Sequence, residues 1–117
     1  MSKDLQRLDD YLNHILTAIH RIFQYCADLD ELGFASNPLI QDAVIRNFEV
    51  IGEASRNIER NYPEFAAEHS ELPLAVAYEM RNALAHGYFK VDLEVVWKTI
   101  HKDLPYLESL IQALVKP

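Results

Sequence analysis

The sequence is short of the residues that build tight-turned sheets, crosslinks and membrane spans. Its 117 residues include three glycines, one cysteine and one tryptophan, and strand-like alternation of apolar and polar residues is nearly absent. So few glycines leave little provision for hairpin turns, which argues against an all-β fold. Cys26 is the only cysteine and cannot form an internal disulfide, so a reducing compartment suits the chain. No apolar run reaches membrane-spanning length. The charged opening MSKDLQRLDD lacks the apolar stretch of a signal peptide. These absences set the expectation of a soluble, cytoplasmic protein with no membrane partner. Positive charge is scarce too: 11 Lys and Arg stand against 18 Asp and Glu, a net charge of −7. A protein that grips duplex nucleic acid through its phosphates usually carries a basic face. This chain must use a local basic site for that purpose, or its acidity serves another partner.

What is present in quantity is apolar residues at helical spacing. They make up 50% of the chain, enough for one small core, so residues 1–117 are read as a single domain. The spacing predicts a first helix from Asp4 to Leu29 with two adjacent stripes. One holds Leu5, Leu8, Leu12, Ile15, Ile19 and Cys26; the other holds Tyr11, Ala18, Ile22, Tyr25 and Leu29. A face that broad suits a helix packed between two others, and any excess could serve a dimer. Asp30 to Ser36 reads as a loop with Gly33 as C-cap and turn residue. Asn37-Pro38 reads as an N-cap followed by proline at the first helical position. A second helix then runs from Pro38 to Asn61, with Ile40, Val44, Phe48, Ile51, Ser55 and Ile58 on one face. Tyr62-Pro63 ends it, because proline pushes the preceding residue out of the helical region.

Pro63 to His69 can add one short turn, and Pro73 opens a third helix that Gly87 ends. Asp92 can cap a fourth, striped by Leu93, Trp97, Ile100, Leu104, Leu107, Ile111 and Leu114, with a kink or break expected at Pro105. The sum is an all-α, antiparallel bundle of four main helices with short connections.

The chemistry concentrates in RNALAHGY, Arg81 to Tyr88, at the end of the third helix. Arg81 is a permanent cation, and His86 belongs to the one side-chain class that ordinarily titrates near neutrality. Together they are the minimum kit for cutting a phosphodiester without a metal. RNA can be cleaved by its own 2′-hydroxyl if a base removes that proton, an acid protonates the leaving 5′-oxygen and a cation steadies the phosphorus. His86 fits the base or acid role and Arg81 the cation role. Asn82 could orient the imidazole or bind a phosphate oxygen. On a continuous helix, Arg81 and His86, five apart, lie about 140° from each other. Either the helix frays near Ala85-His86, or the pair converges with the same pair of a second subunit. A symmetric dimer would also supply the two histidines that acid and base require. The plain alternative is that an arginine and a histidine at a helix end cap carbonyls and favour the dipole.

Resemblance weighs against that alternative. The segment from Gln41 to Leu107 resembles the HepT-like proteins of the HEPN superfamily. Their mark is arginine, four to six residues, histidine, then tyrosine two further on. Arg81, His86 and Tyr88 fit it, with Asn82 after the arginine and Gly87 before the tyrosine. The flanks IRNFEVIGEASRNI (Ile45 to Ile58), YPE (Tyr62 to Glu64) and VDLEVVWKTIHKDLPYL (Val91 to Leu107) match as well. The resemblance implies a helical bundle that dimerises around a composite cleft, and a metal-independent ribonuclease toxin of a toxin–antitoxin pair. It implies as partner an MntA-type minimal nucleotidyltransferase antitoxin, which silences the toxin by transferring AMP to the motif tyrosine, here Tyr88. No cofactor is implied.

In the second helix, Gly52 costs roughly 1 kcal/mol relative to alanine, and a close helix crossing is one reason to tolerate it. Glu49 and Glu53, four apart, share a face. They are solvated or pair with Arg46 and Arg56, or else a carboxylate reaches Arg81 or His86 and sets its orientation. Two carboxylates could hold a metal, but His14, His20, His69 and His101 add no ligand spacing. Cys26 reads as an inert core thiol. The acidic balance keeps a second class of function open: a non-catalytic substrate- or nucleotide-binding subunit of a small nucleotidyltransferase. A purely structural dimer is a third.

Overall fold

The computed structural model describes residues 2–74 and 92–115, with side-chain detail from residue 7 onward. Among these residues every regular element is helical: α1 (Ser2–Cys26), α2 (Glu31–Ala35), α3 (Pro38–Asn61), α4 (Pro63–Glu68), α5 (Leu93–Lys98), a π-helical segment (Thr99–Asp103) and α6 (Leu104–Leu114). The chain is all-α, as the periodicity requires. Beyond Leu74, the expected third helix lies outside the described residues.

The stripes of α1 are its buried face. Ile15, Ile19 and Ile22 are wholly enclosed, and Leu8, Leu12, Leu16, Ala18 and Cys26 are buried beside them. Enclosing each isoleucine contributes about 1.5–3 kcal/mol. The breadth of that face is used within the chain, because α1 packs against α3 and also against α6. Tyr11, near the start of α1, meets Tyr62, just past the end of α3, with ring centroids 6.4 Å apart. The two long helices are therefore antiparallel. His20 Nε2 lies 2.8 Å from Glu108 Oε2 and ties α1 to α6 at the surface.

The ends of α3 follow local chemistry. Asn37 Oδ1 accepts the Ile40 N–H at 3.1 Å, and Pro38 opens the helix. Tyr62-Pro63 closes it, and Pro63 starts α4 at once. Val44, Phe48, Ile51, Ser55 and Ile58 form the inner face, as their spacing predicts. Gly52 is buried on the same helix.

Two elements differ from the sequence reading. The first is Asp30 to Ser36, which the sequence reads as a loop. α1 ends at Cys26 instead of Leu29, and Glu31–Ala35 forms a short helix. Gly33 sits inside that helix and is no C-cap; no described glycine has a positive φ. Asp30 Oδ1 caps the helix by accepting the Gly33 N–H at 2.7 Å. Phe34 is 1% exposed and packs its ring 5.4 Å from that of Trp97. The Gln41 amide closes the far end, donating to the Phe34 and Ala35 carbonyls at 2.8 and 3.1 Å. Packing and caps thus make helical a stretch that glycine content alone reads as a turn.

The second is the break expected at Pro105, which is present and differs only in lying just ahead of the proline. Asp92 caps α5 as expected, accepting from the Glu94 and Val95 N–H groups at 3.0 and 3.3 Å. The irregularity comes just before the proline, where Thr99–Asp103 widens to a π-turn and the Leu104 N–H reaches back to the Thr99 carbonyl. Pro105 has no N–H and its ring crowds the carbonyl four residues back, so the turn ahead of it opens. The wider turn also serves the core. Val96, Ile100, Leu104, Leu107 and Ile111 are all buried. Two successive four-residue steps drift by roughly 40° each on a regular helix, and a wider turn keeps those positions facing inward.

Candidate functional site

Of the side chains that the sequence singles out, Glu49 and Glu53 are described, while Arg81, Asn82, His86 and Tyr88 lie outside the described residues. The two glutamates share one open groove of about 370 Å³ between α1 and α3. Helical spacing puts Arg46, Glu49, Val50, Glu53, Ala54 and Asn57 along the α3 wall, and Tyr11 and His14 face them from α1. Ala54 is buried at the groove's base, and the side chains of Arg46, Glu49, Glu53 and Asn57 make its α3 wall polar.

Arg46 Nη1 approaches Glu49 Oε2 at 3.6 Å, one helical turn apart, with side chains 73% and 34% exposed. A solvated pair of this kind contributes at most about 1 kcal/mol, so Glu49 keeps most of its capacity to accept further bonds. This is the surface pairing expected of Glu49 with Arg46. Tyr11 and His14 meet edge to face with centroids 6.4 Å apart. Sequence reasoning missed both as groove residues: Tyr11 was placed on an apolar stripe, and His14 matched no ligand pattern. Their three-residue spacing on α1 is a signal of a shared face, but the partner wall of the groove comes from α3. A second open groove of about 490 Å³ lies where α1 meets α4, lined by Leu8, Tyr62, Phe65, Glu64 and Glu68 among others.

Among the described residues two titratable groups depart from their ordinary behaviour, both outside the first groove. Burial pushes the Cys26 thiol up. Glu71 is held below the usual carboxylate range by a backbone hydrogen bond and then by His69, whose Nδ1 is 3.3 Å from Glu71 Oε2. No group of three or more His, Cys, Asp or Glu among the described residues is placed to hold a metal ion. No helix among them is long and apolar enough to cross a membrane.

The chain is 38% identical over 107 residues to a probable ribonuclease HepT of Thermococcus cleftensis, covering 92% of this chain and 94% of that one. It is 32% identical over 106 residues to a putative RNase of Caldanaerobacter subterraneus, covering 91% and 92% of the two chains. It is also 40% identical over 106 residues to a Methanocaldococcus jannaschii protein named gamma-glutamylcyclotransferase and putative RNase. There the match spans 91% of this chain but only 46% of the longer relative. No solved structure matches the chain. The ribonuclease HepT-like family model matches residues 15–114, from the middle of α1 to the end of α6, and the chain belongs to that family.

Proposed function

We propose that this chain is a metal-independent endoribonuclease, the toxin of a toxin–antitoxin pair, working as a homodimer. The observation that carries the reading is the Arg81-x4-His86-x-Tyr88 motif in a chain of the ribonuclease HepT-like family. The names of the Thermococcus and Caldanaerobacter relatives support RNA as substrate.

The chemistry runs as an internal displacement. A base takes the 2′-hydroxyl proton, the 2′-oxygen attacks phosphorus, and the P–O5′ bond breaks as an acid protonates the leaving oxygen. The products are a 2′,3′-cyclic phosphate and a 5′-hydroxyl. His86 of one subunit acts as base and His86 of the partner subunit as acid. Arg81 holds the phosphate oxygens as charge builds on them, and Asn82 steadies the imidazole or an oxygen. Glu49 and Glu53, on the groove wall of α3, are the carboxylates that orient Arg81 or His86. Tyr88 is the regulatory handle. A minimal nucleotidyltransferase antitoxin of MntA type joins its oxygen to the α-phosphorus of a nucleoside triphosphate, with loss of the hydroxyl proton and release of pyrophosphate. The AMP phosphate beside Arg81 then occupies the cation and bars substrate.

The net charge of −7 favours a second reading, a non-catalytic binding subunit of a small nucleotidyltransferase. Cleavage of RNA in chelator by protein of unmodified mass, beside His86→Ala and Arg81→Ala, separates the two. The ribonuclease reading expects cleavage by the parent and a loss of at least about a hundredfold in each variant. Unmodified parent protein that leaves RNA intact, yet binds the nucleotidyltransferase tightly, gives the answer to the binding subunit.

A further inference from the structure

The stretch from Val95 to Lys102 is free of carboxylates and carries Lys98, His101 and Lys102 beside the only tryptophan, Trp97. In a chain of net charge −7 this is a local reversal of sign. Its side chains are also arranged. The Trp97 and His101 rings lie 4.2 Å apart between centroids, tilted by 44°. The inner side of Trp97 is backed by Phe34, which is 1% exposed and therefore fixed in the core. His101 Nδ1 is 3.0 Å from the Trp97 carbonyl oxygen, which can only accept, so Nδ1 carries the donated hydrogen and Nε2 is left to outside partners. Core, indole and imidazole thus form a ladder that ends in an exposed, orientated ring.

Lys98 and Lys102, four apart, form the next row around the helix. Lys98 Nζ is 3.2 Å from Glu94 Oε1, but the two side chains are 70% and 62% exposed, and a pair this wet yields readily to a phosphate. Glu94 and Asp103 bound the strip at its two ends, which limits it to a short length of strand.

An aromatic ladder ending in a free π-face, flanked by a row of cations, is how proteins hold single-stranded nucleic acid without reading its sequence. Each base has a π-face to stack, and the phosphates follow the lysines. We propose that Trp97, His101, Lys98 and Lys102 form a contact strip for single-stranded RNA, separate in sequence from the Arg81–His86 motif. It supplies the local basic site that an acidic ribonuclease requires, and it rests on that reading for the identity of the strand.

The test uses the single tryptophan as reporter and a short 2′-O-methyl RNA oligonucleotide, which lacks the attacking hydroxyl and cannot be cut. The wild-type chain is titrated while Trp97 fluorescence and the anisotropy of a labelled oligonucleotide are followed together. The strip predicts saturable quenching of Trp97 that parallels the anisotropy. His101→Ala weakens binding roughly tenfold. The double change Lys98→Gln, Lys102→Gln reduces the slope of log affinity against log salt by about 1.4, as two fewer phosphate contacts require. All these positions but Trp97 are exposed, so circular dichroism should be unchanged in both variants. Binding that leaves Trp97 fluorescence and both variants unaffected overturns the proposal. So does an absence of binding, and cleavage of ordinary RNA by the same sample would then show that the ribonuclease reading survives alone. Quenching by a nucleotidyltransferase partner, lost in the variants and not produced by the oligonucleotide, would make the strip a protein contact and overturn the RNA assignment.

Discussion

Cys26 is 4% exposed on the inner side of α1, and burial pushes its thiol above the ordinary range. The thiolate is the reactive species, so the native protein should hold this residue inert at neutral pH by two routes, low ionisation and low access. Ellman's reagent is expected to react with native protein at least about tenfold slower than with protein unfolded in guanidinium. Equal rates would place the thiol at the surface. Ser55 is the opposite kind of residue on the same scale. It is wholly buried on the inner face of α3, and its hydroxyl has no hydrogen-bond partner among the described residues. The periodicity put it on that face; nothing in the described structure explains why a hydroxyl and not a methyl stands there.

At the scale of elements, α2 shows how little local sequence is needed when packing supplies the rest. A helix of five residues cannot hold itself together in water. It persists because Asp30 caps one end, Gln41 the other, and Phe34 is enclosed against Trp97. Phe34→Ala removes the enclosed ring, and a stability loss of about 3–5 kcal/mol is expected from chemical denaturation. Since the Phe34 ring also backs the Trp97 ladder, the variant's tryptophan emission should move toward that of exposed indole. A loss below about 1 kcal/mol with unchanged emission would show that α2 is held by its caps alone. The π-segment ahead of Pro105 follows the same logic in reverse: a backbone defect at the proline is absorbed by a wider turn that returns Ile100 and Leu104 to the core.

For the whole molecule, the apolar face of α1 is covered by α3 and α6 within one chain, so the breadth of its stripes calls for no second subunit. The proposed dimer rests instead on the chemistry, which needs two histidines where each chain's motif offers one. That gives a sharp expectation. A heterodimer of wild-type chain and His86→Ala chain, purified through two different tags, should cut RNA at a small fraction of the parental rate, because the shared cleft has lost either its acid or its base. Half the parental rate would mean that each subunit works alone and that one imidazole takes both roles in turn.

The sequence by itself determined the elements whose signals are local. Asn37-Pro38, Tyr62-Pro63 and Asp92 set helix boundaries with their own side chains and rings, and the apolar periodicity of α1 and α3 assigned the buried faces correctly. It also carried the family, through Arg81, His86, Tyr88 and the flanks around them. Tertiary structure alone decided what depends on partners distant in the chain. Phe34 made a helix of a stretch read as a loop only because Trp97 was there to cover it. Glu49 and Glu53 became the wall of a groove only because Tyr11 and His14 arrive from α1. His101 became an orientated ring because the Trp97 carbonyl and indole lie within reach of it. Periodicity records which side of a helix avoids water, and caps record where it starts and stops; neither records which neighbour comes to lie against it.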